Sequence, residues 1–125
     1  MALPRTARLR ASAEIRKVLD SGRRRAGRFH ALYWLHRDDA SGPRAAFVVS
    51  RRVGGAVTRN RARRRLSAAV QRRLALLDPG VDLVLVARRG AAECPFAEVD
   101  QDVERLLREA GVLRAAAGAG GEDEV

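Results

Sequence analysis

Seven of the seventeen residues from Ser50 to Leu66 (SRRVGGAVTRNRARRRL) are arginine, and no Asp or Glu occurs between Arg44 and Arg73. A guanidinium is a planar fork whose N–H groups match the oxygens of a phosphate. Arg51 and Arg52 end an apolar run, and the loop Val53-Gly54-Gly55-Ala56-Val57 follows. Arg59, Arg61, Arg63, Arg64 and Arg65 then crowd the opening turns of a helical pattern. A helix N-terminus already carries about half a positive charge, so five further cations oppose the helix. The last helical pattern of the chain instead opens with Glu98, Asp100 and Asp102, and obeys the dipole. A rule kept in one helix and broken in another marks a site that serves something besides folding. The chemistry that restores the balance is a polyanion docked where free N–H groups, dipole and guanidiniums converge.

Side chains suited to catalysis are sparse around that run. Two-metal phosphodiester chemistry needs clustered carboxylates, and Asp38-Asp39 falls in a turn-forming stretch, DDASGP. His30 and His36 flank a strand pattern with no partner acid in view, which assigns them core or surface roles. Cys94 is the single cysteine, so neither an internal disulfide nor a cysteine metal cluster is available. No catalytic residue and no metal site is therefore assigned to the protein.

The elements that must position the arginines can be read from periodicity. Ser12 to Ser21 has Ile15, Val18 and Leu19 on one helical face, with Ser12 as a cap and Gly22 as a stop. Phe29–His36 and Arg44–Ser50 read as strands, and the six-residue turn Asp38 to Pro43 between them suits an antiparallel hairpin. Val81–Ala87 is nearly continuous in apolar residues, as a central strand is. Between the second and third strands a helix is expected from about Thr58 to Leu77, ended by Asp78-Pro79-Gly80. A last helix is expected from Phe96 to Ala110, with Gly111 closing it. The result is an α+β fold, a two-layer sandwich of helices on one sheet.

The chain has 125 residues, 46% of them hydrophobic, which is one domain with one modest core. Its formal charge is +10, unevenly spread. Residues 1–77 hold 20 basic and 4 acidic side chains, and residues 78–125 hold 5 and 11. The anion-binding surface therefore lies in the first two thirds. Residues 1–114 are expected to form the domain, and the Ala/Gly-rich acidic end, 115–125, a disordered tail. There is no membrane span and no secretory signal, which makes a cytoplasmic location the expectation.

The segment SRRVGGAVTRNRARRR strongly resembles the characteristic segment of the bacterial ribonuclease P protein subunit. Arg51-Arg52, Gly54, Ala56-Val57, Arg59-Asn60-Arg61 and Arg63-Arg64 occupy the places of that family's motif. The likeness extends from Arg8-Leu9-Arg10 through Leu32-Tyr33 to Leu85-Val86-Ala87-Arg88. Departures are Gly55 where Asn is usual, Ser67 where a further Arg is common, and Ile15 and Leu19 where Phe is usual. The resemblance implies the order α-β-β-β-α-β-α, a sheet of about four strands with a left-handed βαβ crossover, and a short extra strand near Arg23–Arg25. It implies a subunit of an endoribonuclease whose catalysis is borne by a partner RNA. Mg²⁺, bound mainly by that RNA, serves the removal of the 5′ leader from precursor tRNA. Arg51, Arg52, Arg59, Asn60, Arg61, Arg63, Arg64 and Arg88 would face RNA. Ile15, Leu19, Tyr33, Val48 and Ser50 would line a cleft for the single-stranded leader. The partners implied are the catalytic RNA and precursor tRNA, with no membrane and no small-molecule substrate. The rival reading is a general structured-RNA-binding protein, ribosomal or chaperone-like, without a role in tRNA processing.

Overall fold

The computed structural model describes residues 3–114. In chain order the elements are α1 (Ser12–Ser21), β1 (Arg23–Ala26), β2 (His30–His36), β3 (Arg44–Val48), α2 (Ala56–Gln71), β4 (Val81–Ala87) and α3 (Phe96–Ala110). Short 3-10 turns at Arg5–Ala7 and Leu74–Leu76 complete them. The four strands form one mixed sheet in the order β1-β2-β4-β3. β1 pairs with β2 and β2 with β4, both antiparallel, whereas β3 runs parallel to β4. The connection from β3 to β4 is thus a crossover carried by α2. The tail assigned to residues 115–125 lies outside the described residues.

The hairpin expected from β2 and β3 does not form. The seven residues 37–43 can join two strands without making them neighbours, and β4 sits between them, pairing with both. β4 is the most apolar strand and takes the most buried position, with every residue except Val86 buried. Its central place was legible, but its partners were not.

Strand alternation divides the core into two parts. Leu32, Trp34, Ala45, Val81, Leu83, Leu85 and Ala87 face α2 and α3, whose stripes bring Ala62, Leu66, Ala69, Val70, Val99, Val103, Leu106 and Leu107. The opposite face carries a smaller cluster of Leu9, Val18, Ala46 and Val84, with Ile15, Leu19, Tyr33, Leu35, Val48 and Val86 packed around it. α1 covers that face only in part. The outer edge of β3 is partly covered as well, because the Leu9 amide donates to the Ala45 carbonyl at 2.9 Å.

Helix ends differ from their expected places for identifiable reasons. Ser12 lies inside α1 rather than capping it: Ala11 is the cap residue and its carbonyl accepts from the Ile15 amide. α2 begins at Ala56 and ends at Gln71, not Leu77, because the backbone leaves the helical region at Arg73 (φ −116°, ψ 7°). That break lets the Arg73 guanidinium grip Asp100 on α3 through both terminal nitrogens, at 2.7 and 2.9 Å. α3 spans its expected range, and Gly111 closes it in the left-handed conformation (φ 78°).

Candidate nucleic-acid interface

The site is built at the end of the sheet where β3 and β4 finish. In the parallel register Val48 stands beside Val86. Ser50 and Arg88, each two residues further on, therefore leave the sheet side by side. Ser50 begins a tight loop, with the Val53 amide donating to its carbonyl at 3.1 Å and the Gly54 amide donating to the Arg51 carbonyl at 3.2 Å. Val53 is buried and anchors the loop, leaving Arg51 and Arg52 exposed. Gly54 adopts φ +152°, and a Cβ there would stand 2.8 Å from the Thr58 side chain. A side chain at position 54 would thus push apart the loop and the helix start.

α2 opens at Gly55 with no side-chain cap and no acid in its first turn. The first helical bond is from the Arg59 amide to the Gly55 carbonyl, 2.8 Å. The amides ahead of it find no partner within the helix. Around this end Asn60, Arg61, Arg63 and Arg64 are exposed and Arg59 is half-buried. None of Arg51, Arg52, Arg59, Arg61, Arg63 or Arg64 has an acidic partner among the described residues. Several acids are engaged elsewhere: Asp82 by Arg37 and Arg44, Asp100 by Arg72 and Arg73, Glu109 by Arg25 and Arg105. Asn60 is tied to its own helix, since its Oδ1 accepts from Arg63 Nη1 at 3.0 Å.

Not every arginine of the run faces outward. Arg65 turns back and donates to the carbonyls of Ala91 and Cys94, at 2.8 and 2.5 Å, so it fastens α2 to the segment before α3. Arg88 is exposed, with Nη1 donating to the Gly27 carbonyl at 2.8 Å. That bond ties the end of β4 to the turn between β1 and β2.

Four of the residues assigned to a leader cleft, Ile15, Leu19, Tyr33 and Val48, come together in the partly covered apolar cluster. Ser50 does not join them and is exposed at the cleft's end, where its hydroxyl accepts from the Arg52 amide at 3.3 Å. Beyond β3 the surface continues into a groove of about 560 Å³. Its floor is Leu3, Leu9, Ile15 and Ala45–Phe47, and Arg8, Arg10, Arg63 and Arg64 line its polar parts. An apolar floor with guanidiniums around it can take bases and phosphates together.

Other features were not legible in the sequence. His30 is fully buried, and its Nδ1 lies 2.9 Å from Asp102 Oδ2. The partner acid is 72 residues away, beyond the reach of any local pattern. Asp102, and Asp100 gripped by Arg73, are thus structural acids rather than general support for the α3 dipole. Arg24 of β1 stands opposite Tyr33 and touches its ring. Only the strand register reveals that pairing.

Divalent cations prefer clustered oxygen ligands. Among the described residues no three His, Cys, Asp or Glu gather in a metal-holding group. Asp39 is occupied by Arg37 and Ser41, and the surface around α2 is cationic. Among the described residues the side chains do not fit a resident Mg²⁺.

The chain matches the family model described as "Ribonuclease P" over residues 3–111. It is 47% identical over 106 residues to the ribonuclease P protein component of Acidothermus cellulolyticus, covering 84% of this chain and 88% of that one. To the same component of Gluconacetobacter diazotrophicus it is 44% identical over 113 residues, covering 89% and 97%. The fold is similar to that of the Staphylococcus aureus RNase P protein, with a TM-score of 0.78 at 21% identity over 86% of this chain and 98% of that one. For the Thermotoga maritima protein the TM-score is 0.72 at 21% identity, covering 82% and 96%. With its arginine-rich helix start, its mixed sheet and a match along almost all its described length, the chain belongs to the bacterial ribonuclease P protein family.

Proposed function

We propose that the chain, as the protein subunit of ribonuclease P, uses the α2 start and its loop to hold the catalytic RNA, and the α1–sheet cleft to hold the 5′ leader of precursor tRNA. The observation that carries this is the set of exposed arginines without acidic partners, Arg51, Arg52, Arg61, Arg63 and Arg64. They stand at an uncapped helix N-terminus beside an apolar cleft. Arg59, Asn60 and Arg88 flank them. Phosphates satisfy the free amides and the guanidiniums, and the cleft offers Tyr33 as a platform for any base. Mg²⁺ belongs to the RNA in this reading, because the protein surface offers cations where a metal needs oxygens. The leader cleft is worked by aliphatic Ile15 and Leu19 on α1 and by one aromatic ring on β2. The reading carries with it a cytoplasmic location, alongside precursor tRNA.

The test is RNA binding by the Arg59→Ala/Arg61→Ala double variant across a salt series. Binding weakens, and the slope of log K against log salt falls by about 0.7–0.9 per lost phosphate contact, for two contacts. An unchanged slope with unchanged affinity would remove α2 from the interface.

A further inference from the structure

β1 is an edge strand, and three of its four residues are arginine. Charge on an edge strand commonly discourages pairing with other chains, so the composition alone assigns nothing. The register separates the three. Arg23 and Arg25 stand opposite Trp34 and Leu32, on the face covered by α2 and α3, and Arg25 Nε pairs with Glu109 at 2.9 Å. Arg24 stands opposite Tyr33, on the cleft face. Its Nε donates to the Tyr33 hydroxyl at 3.0 Å, and its guanidinium carbon lies 5.7 Å from the ring centroid.

This contact leaves both terminal nitrogens of Arg24 without a protein partner among the described residues, and no acid pairs with the side chain. The phenol thus holds the fork in one orientation while the fork remains exposed. A cation fixed in advance loses little conformational freedom when a phosphate arrives. The Tyr33 ring offers a base-stacking surface within the same contact.

Position gives the pair its meaning. Arg24, Tyr33, Val84 and Ala46 form one row across the sheet. Ser50 lies four residues beyond Ala46 along the β3 direction. Three strand spacings and four residue rises separate Ser50 from Arg24, a diagonal of roughly 20 Å across the cleft face.

We infer that Arg24 is a leader-phosphate contact that carries the cleft across the sheet to β1, and so makes binding depend on leader length. The inference rests on the leader-cleft reading above. A leader entering beside Ser50 and the α2 arginines crosses β4 and β2 before it meets Arg24. A single leader nucleotide cannot span that diagonal.

The experiment uses holoenzyme reconstituted from the full chain and its catalytic RNA. Affinity is measured for precursor tRNA with a long leader, with a single-nucleotide leader, and for tRNA with none, each across a salt series. Arg24→Ala should weaken binding of the long-leader precursor about threefold to tenfold. It should also reduce the magnitude of its salt slope by about 0.7, the share of one single-strand phosphate. The two shorter substrates should bind as before. Arg24→Lys should retain the slope, and Tyr33→Phe, which keeps the ring and removes the acceptor, should retain it too. Equal losses on all three substrates would make Arg24 a support for the fold as a whole, and a long-leader loss with an unchanged salt slope would make it a support for Tyr33; either result overturns the inference. So would unchanged long-leader binding by Arg24→Ala in a holoenzyme that still prefers leader-bearing precursor. If the unaltered holoenzyme shows no preference for a leader, the cleft reading falls, and the inference with it.

Discussion

Asp102 shows how one side chain can hold two distant parts of the molecule together. Its carboxylate accepts from the amides of Arg28 and Phe29, each at 3.0 Å, from Arg105 Nη2 at 3.1 Å, and meets His30 Nδ1 at 2.9 Å. Burial pushes the carboxyl pKa up, but the bonds from His30 and the two amides outweigh it and hold the value at about 2. A folded pKa below the unfolded one means stability that is present above about pH 4 and lost as the pH falls toward 2. The contribution is about 2 kcal/mol. Asp102→Asn should lower the unfolding midpoint at neutral pH and flatten the acid limb of the stability profile. An acid limb as steep as before would place the titration on another group. Tyr33 makes the second prediction at this scale. Tyr33→Ala should weaken leader-bearing precursor by about 1–3 kcal/mol and leave leaderless tRNA unaffected. Equal losses would make the ring structural. Neither His30–Asp102 nor Arg24–Tyr33 could be read in advance, because each depends on which strand or helix lies alongside. The α2 arginines were legible because their oddity is local: cations at a helix start with no acid nearby.

Among the elements, α2 carries the sharpest conflict between folding and function. Its start gathers like charge that the helix dipole disfavours. The Arg59→Ala/Arg61→Ala variant should therefore unfold at the same temperature as the parent or higher while binding RNA more weakly, read by thermal unfolding at low salt. A lower midpoint would mean that these side chains serve packing. α3 was read to the residue because Pro95, a regular apolar stripe and Gly111 all mark it in sequence. α2 was misread at its C-terminus, since Leu74 and Leu77 continue the stripe through a chain that has already left the helix. β1 has no apolar pattern at all, with every residue exposed, and only family resemblance suggested it. The pairing of β2 with β4 rather than β3 is a long-range choice, and periodicity carries no information about partners.

The whole molecule separates a cationic working end from a region where charges cancel. Acids of α3 neutralise Arg72, Arg73, Arg105 and Arg108 within the protein, which concentrates the unpaired arginines at the α2 end. The described chain is also tied down at both ends. Leu3, Ala7 and Leu9 are buried, and the Arg114 amide donates to the Leu76 carbonyl at 2.7 Å. Removing the residues before Arg10 should uncover the β3 edge and the floor of the groove. The expected cost is about 2–5 kcal/mol, from the lost burial of two leucines, with a tendency to self-associate. A truncated chain as stable as the parent, measured by denaturant unfolding, would show that the segment only rests on the sheet.

The place of β4 between β2 and β3 has a consequence for how the protein is made. Synthesis runs from the N-terminus, so β1, β2, β3 and α2 all leave the ribosome before the strand that joins β2 to β3. Until Ala87 has emerged, β3 has no strand to pair with, and the apolar stripe of α2 has no finished sheet to cover. During that interval the arginines of residues 51–65 are already outside, next to a machine built largely of RNA. The nascent chain displays its charge before it owns the fold that aims it.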